Sequence, residues 1–139
     1  MTNTATSQTL FDGEKIAIMK FYASMSTTEN ESAVAKVTPS ALAASAAGGA
    51  CNAVSILKCT AMTHGLEVQM NWKATTPVII NTIPQNTNYI QDFSTFGGLT
   101  NNAGTGKDGV ITFTTLDGSA GDAYTVILEM QKYYVNPVG

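Results

Sequence analysis

Between Leu66 and Lys73 the chain alternates without a slip, with Leu66, Val68, Met70 and Trp72 on one side and Glu67, Gln69, Asn71 and Lys73 on the other. A period of two marks a β-strand with one buried face. Such a ribbon cannot stand alone, because its apolar side must lie against a second layer. The fold class therefore follows from where the chain finds that layer.

Further strands supply it. After a turn at Asp12-Gly13, residues Ile16, Ile18, Lys20 and Tyr22 fall on one face and Ala17, Met19, Phe21 and Ala23 on the other, which predicts a strand apolar on much of both sides. Further strands are predicted over Ala33–Thr38, Ala50–Met62, Pro77–Ile83 and Asn86–Ile90, with Val110–Thr115 and Ala123–Tyr134 after them. In the last of these Tyr124, Val126, Leu128 and Met130 oppose Ala123, Thr125, Ile127 and Glu129. Two hairpins are expected, one across Thr63-His64-Gly65 and one across residues 117–122. Pro39–Ala47 has the best helix-forming composition, with Thr38 as N-cap, Pro39 at the first helical position and Gly48-Gly49 as the stop. Residues 1–11, rich in Thr and Ser, read as a flexible N-terminal arm. Residues 12–139 read as a single all-β domain, an antiparallel β-sandwich or jelly roll with a short Ala-rich helix.

Size agrees with one core: 139 residues at 44% hydrophobic content are enough for one domain. Charged residues are only 12% of the chain, about half the usual share of roughly 25%. Much of the surface must then be neutral Ser, Thr, Asn, Gln, Gly and Ala. The seven basic residues are all lysine and the net charge is -3. Nucleic-acid binding relies on clustered cations and on Arg reading bases, so that partner class is not expected. No stretch approaches membrane-spanning length, so no membrane partner is expected. The N-terminus lacks the basic start and apolar run of a secretory signal, which leads us to expect synthesis in a cytoplasm, with Cys51 and Cys59 as buried thiols rather than a disulfide. For the same reason the sequon at Asn30-Glu31-Ser32 carries no weight.

Residues suited to chemistry are few. His64 is the single histidine and sits at a predicted turn, with no second ligand at metal spacing, so no metal site is expected. No Gly-x-Ser-x-Gly elbow exists, and no catalytic residues are assigned. Gly104-Thr105-Gly106-Lys107 fails as a phosphate loop, because Asn101 stands where the first glycine belongs and Asp108 where Ser or Thr would bind magnesium. Asp108, Asp117 and Asp122 lack the spacing of a calcium loop and read as turn residues. Trp72, Tyr89, Phe93, Phe96, Tyr133 and Tyr134 could form a sugar-stacking platform, although Trp72 lies on the apolar side of its strand and is better read as core. Neither an enzyme nor a cofactor is expected.

Residues 92–109 form a long loop rich in Gly and Asn, which Phe93, Phe96 and Leu99 can pin to a core. A loop of this length in a small domain is more often partner-contacting than idle.

Three segments together resemble tailed-phage virion structural proteins of the capsid decoration, or cement, group. They are the run from His64 to Thr76, the run Asp92-Phe93-Ser94 through Gly104, and the run from Gly121 to Met130. The resemblance covers approximately the C-terminal half of the chain. It implies a bacteriophage protein on the outer surface of the capsid, held by the major capsid protein and by copies of itself in a homotrimer, with no bond made or broken. The N-terminal arm and the Ala-rich segment near Ala41–Ala50 lie outside the resemblance; the capsid or oligomer contacts expected are Thr9, Leu10 and Phe11 in the arm, Phe93, Phe96, Leu99, Asn101 and Asn102 in the loop, and Tyr134 near the C-terminus. The alternative is a tail, neck or fibre component with a glycan-binding β module.

Overall fold

Leu66, Val68, Met70 and Trp72 are all buried, as are Tyr124, Val126, Leu128 and Met130, so the period-two pattern places the core where the sequence predicts it. The computed structural model describes residues 4–25, 34–44, 49–96, 98–99, 109–116 and 118–134. Among these the strands are β1 (Thr4–Asp12), β2 (Ile16–Ser24), β3 (Val34–Val37), β4 (Cys51–His64), β5 (Glu67–Trp72), β6 (Val78–Ile83), β7 (Asn88–Asp92), β8 (Ile111–Leu116) and β9 (Ala123–Tyr134). They form two sheets, ordered β1-β2-β9-β4-β7 and β3-β8-β5-β6. Every pairing is antiparallel.

The protein is all-β, and one apolar core joins the two layers. Phe21 of the five-stranded sheet meets Phe113 of the four-stranded sheet edge to face, with ring centroids 5.3 Å apart. On its other side Phe113 approaches Tyr124 at 5.9 Å. These rings fill the space between the layers with geometry that aromatic quadrupoles favour.

Both expected hairpins are corrected. The chain crosses from β4 in one sheet to β5 in the other at Gly65, and from β8 to β9 near Gly121, so neither pair is hydrogen-bonded. Strand length explains the choice. β4 and β9, with 14 and 12 residues, pair with each other along most of their length, and β7 takes the remaining edge of β4. Six-residue β5 then has no free edge on β4, and it pairs with six-residue β6 and β8. Only β1–β2 and β5–β6 are hairpins between consecutive strands.

The Ala-rich helix is also corrected. Pro39–Ala41 form a single 3₁₀ turn, Thr38 makes no side-chain cap, and Leu42 is already extended. A short Ala-rich piece has little helical stability of its own. Residues 45–48 of that prediction lie outside the described residues.

Residues 4–11 of the predicted arm belong to a strand, and residues 1–3 lie outside the described residues. Thr4–Asp12 pairs with β2 from Thr4↔Ser24 to Asp12↔Ala17, with a bulge between Thr9 and Phe11. The Gly13 N–H donates to the Ile16 carbonyl at 2.9 Å and closes the turn. Low apolar content argued against independent folding, but a Thr-rich segment has high β-propensity and needs only an edge to pair with. The free edge of β2 provides it.

Candidate interaction surface

Chemistry-bearing groups are scattered or satisfied. No group of three or more His, Cys, Asp or Glu is placed to hold a metal among the described residues. His64 ends β4 and is exposed. The buried Asp122 carboxylate accepts from the Ser119 N–H at 2.8 Å and the Ser119 hydroxyl at 3.2 Å and so braces its own turn. Asp108, Asp117 and residues 104–107 lie outside the described residues. Cys51 and Cys59 are free and buried, and eight residues of one strand hold them roughly 26 Å apart, far beyond disulfide reach. Burial pushes the Cys59 thiol up to about 11.

An open cleft of about 370 Å³ lies between Thr38, Pro39, Ser40, Ala50, Cys51, Asn52 and Val110. Among the described lining residues the Cys51 thiol is the ionisable group. Desolvation raises the pKa of that thiol, against smaller lowering effects from the Ala53 backbone and the Lys132 charge.

What remains is surface, and the strand registers arrange it. On the outer side of the five-stranded sheet three rows cross the strands. One runs Phe11, Ile18, Glu129, Lys58, Asp92; the next runs Gln8, Lys20, Ile127, Thr60, Ile90; the third runs Thr6, Tyr22, Thr125, Met62, Asn88. Phe11, Tyr22, Met62 and Ile90 are exposed, with Ile90 at 62%. Charge is confined to Lys20 and the set Glu129, Lys58, Asp92. At Asp92 the carboxyl is held below its usual range by hydrogen bonds from the Ser94 hydroxyl and N–H, with a smaller contribution from the Lys58 charge.

The residues predicted to make contacts divide accordingly. Thr9, Leu10 and Phe11 lie exposed on β1. Phe93 and Leu99 pack partly buried against the protein's own core. The loop docks there because the Phe93 N–H donates to Leu57 O at 2.7 Å and Leu99 exchanges backbone hydrogen bonds with Ile56 at 2.8 and 2.9 Å. Gly98 lets it approach: a Cβ there would come within 2.9 Å of the Ile56 carbonyl oxygen. The Tyr134 hydroxyl donates to the Glu14 carbonyl, so that ring is also engaged internally. Phe96 belongs to a 3₁₀ turn at Ser94–Phe96, its side chain outside the described residues, as are Asn101 and Asn102.

Trp72 lies in the core and takes no part in an aromatic platform, and the side chains of Tyr89 and Phe96 lie outside the described residues. Tyr133 instead shares a 3.3 Å hydrogen bond with Ser55. Tyr22, Met62 and Ile90 escaped the sequence reading of the surface. For Met62 the signal was masked by a bulge between Ile56 and Lys58, which reverses the face of every later residue in β4.

Comparison with models of known protein families and with curated protein sequences finds no match.

Proposed function

We propose that this chain is a non-enzymatic structural protein of a phage virion, which binds the outer surface of the capsid and stabilises it as a homotrimer seated on the major capsid protein. Its fold, in this reading, is a jelly roll with one extra strand. The observation that carries it is the strand order: β2-β9-β4-β7 faces β3-β8-β5-β6, and the chain changes sheet at each connection from β2 to β9 except β5–β6. That is the connectivity of two interlocked Greek keys, an architecture recurrent in viral capsid and lectin domains.

Fold-level analogy supports a class of function and no more. The surface adds the rest of the support. The outer sheet face sets exposed Phe11, Tyr22, Met62 and Ile90 among few charges, as suits adhesion to another protein. Association costs about 4–15 kcal/mol in lost freedom, and a symmetric oligomer spreads that cost over several contacts.

The test is to tag the protein in the phage that encodes it and image the particle. Label spread regularly over the head is expected, and heads lacking the protein should open at a lower temperature. Label confined to the tail would overturn the reading.

A further inference from the structure

Of the four sheet edges among the described residues, three are blunted and one is not. β6 spans six residues between Pro77 and Pro84 and carries a register shift against β5. β3 has four residues with Lys36 among them, and β7 has five ending at Asp92. Shortness, Pro, Lys and bulges are the usual devices that keep an edge from pairing with another chain. β1 has nine residues, no Pro, no Lys and no charge before Asp12. Its one bulge lies beyond Thr9, so Thr4–Thr9 runs in unbroken register with β2. From Thr6 to Phe11 every residue is exposed, which leaves the strand open on both faces.

We propose that this edge pairs with β1 of a second copy of the chain, antiparallel about a two-fold axis, to make one continuous ten-stranded sheet. A two-fold contact needs a patch complementary to itself. Thr-Ala-Thr-Ser-Gln-Thr meets its own copy with no like charges opposed, and Thr–Thr and Thr–Ser neighbours across strands are favourable pairs. Pairing with the far edge does not serve as well. Four antiparallel steps separate β1 from β7, so the two run in the same direction, and joining them head to tail would give a parallel contact that repeats without closing. Antiparallel β1–β1 pairing continues the existing pattern and closes after one step.

This contact does not depend on the virion reading, and it joins whatever units β1 decorates. The experiment compares the mass in solution, by light scattering, of the full chain and of a Ser7→Lys/Thr9→Lys double variant, which sets like charges across the axis. The expected result is a halved mass with unchanged strand content by circular dichroism. A folded variant of unchanged mass would overturn the proposal. Hydrogen exchange on the unaltered protein is the second measurement: both the amides that bond β2 and the alternate amides of residues 4–9 should be slow, and fast exchange at the alternate amides would overturn it. The trimer is judged separately, because the variant's mass reports three chains or some other number whatever β1 does.

Discussion

Lys132 Nζ lies 2.5 Å from Asp12 Oδ1 with the lysine side chain wholly buried, a contact that ties the third-last residue of β9 to the last residue of β1. The ammonium also donates to the carbonyls of Gly13 and Ala43 at 2.9 and 2.8 Å, which uses all three of its protons. Asp12 Oδ2 accepts in turn from the Ala43 N–H at 2.8 Å. A buried charge is tolerated only when paired and fully hydrogen-bonded, and this one is. Removing the carboxylate with Asp12→Ala leaves a buried ammonium short of its counter-charge. We expect a loss of about 3 kcal/mol in urea unfolding, whereas Lys20→Ala on the open face should change stability by less than about 0.5 kcal/mol.

The same pair sets a pH window. Burial pushes the Asp12 carboxyl up, but hydrogen bonds from Lys132 and Ala43 together with the lysine charge outweigh it and hold the pKa below 3.8. Burial pushes Lys132 down, and its bonds to Asp12 and Tyr134 and the carboxylate charge outweigh that, raising it above 10.5. A lowered carboxyl stabilises the fold above its unfolded pKa and loses that contribution as pH falls through the folded value. A raised ammonium does so below its unfolded pKa, with loss as pH rises through the folded value. The gap in urea midpoint between the native chain and Asp12→Asn should therefore be constant through neutral pH and narrow below pH 3.8.

Two of the corners where the chain changes sheet, at Gly65 and Gly121, should respond differently to alanine. Gly65 and Gly121 both hold φ in the left-handed region, at +77° and +94°. A Cβ on Gly65 would fall 2.1 Å from Asp122 Oδ1, while one on Gly121 would meet nothing within 4 Å. Gly121→Ala should cost about 1 kcal/mol, the backbone strain alone. Gly65→Ala should cost more, and it should disturb the Ser119–Asp122 turn, visible as faster amide exchange at Ser119.

Phe113 joins the layers through Phe21 and Tyr124, so Phe113→Ala should remove about 3–5 kcal/mol in denaturant unfolding. Ile79→Ser, on an exposed position of β6, should fall within about 0.5 kcal/mol of the native chain.

Inward faces were legible in the sequence because alternation is a local signal: Leu66 to Trp72 and Tyr124 to Met130 declare their side of the sheet residue by residue. That parity extends one step further, to Lys132, and would have flagged it as a buried lysine in need of a partner. Which strands pair was not legible. Gly65 and Gly121 look the same in a hairpin and in a sheet-crossing corner, and the choice depends on matching the long β4 to the long β9, whose described partners run from His64↔Ala123 to Cys51↔Tyr134. The apolar outer face was hidden for a related reason, since the extra residue at Leu57 shifts the parity of β4 halfway along.

The two thiols give a further expectation. Cys59 at about 11 is uncharged at pH 8, and Cys51 is buried and likewise raised. Native protein treated with iodoacetamide at pH 8 should show no added mass, whereas protein unfolded in guanidinium should take up two labels.

β9 lies between β2 and β4, so the middle of the larger sheet is built from the segment that leaves the ribosome after all the others described. Until it arrives, β2 and β4 have no common neighbour and each exposes an apolar side. Folding must wait for synthesis to reach Tyr134, and a chain halted at residue 120 should be captured by chaperones or cut by proteases rather than persist as a half-formed domain.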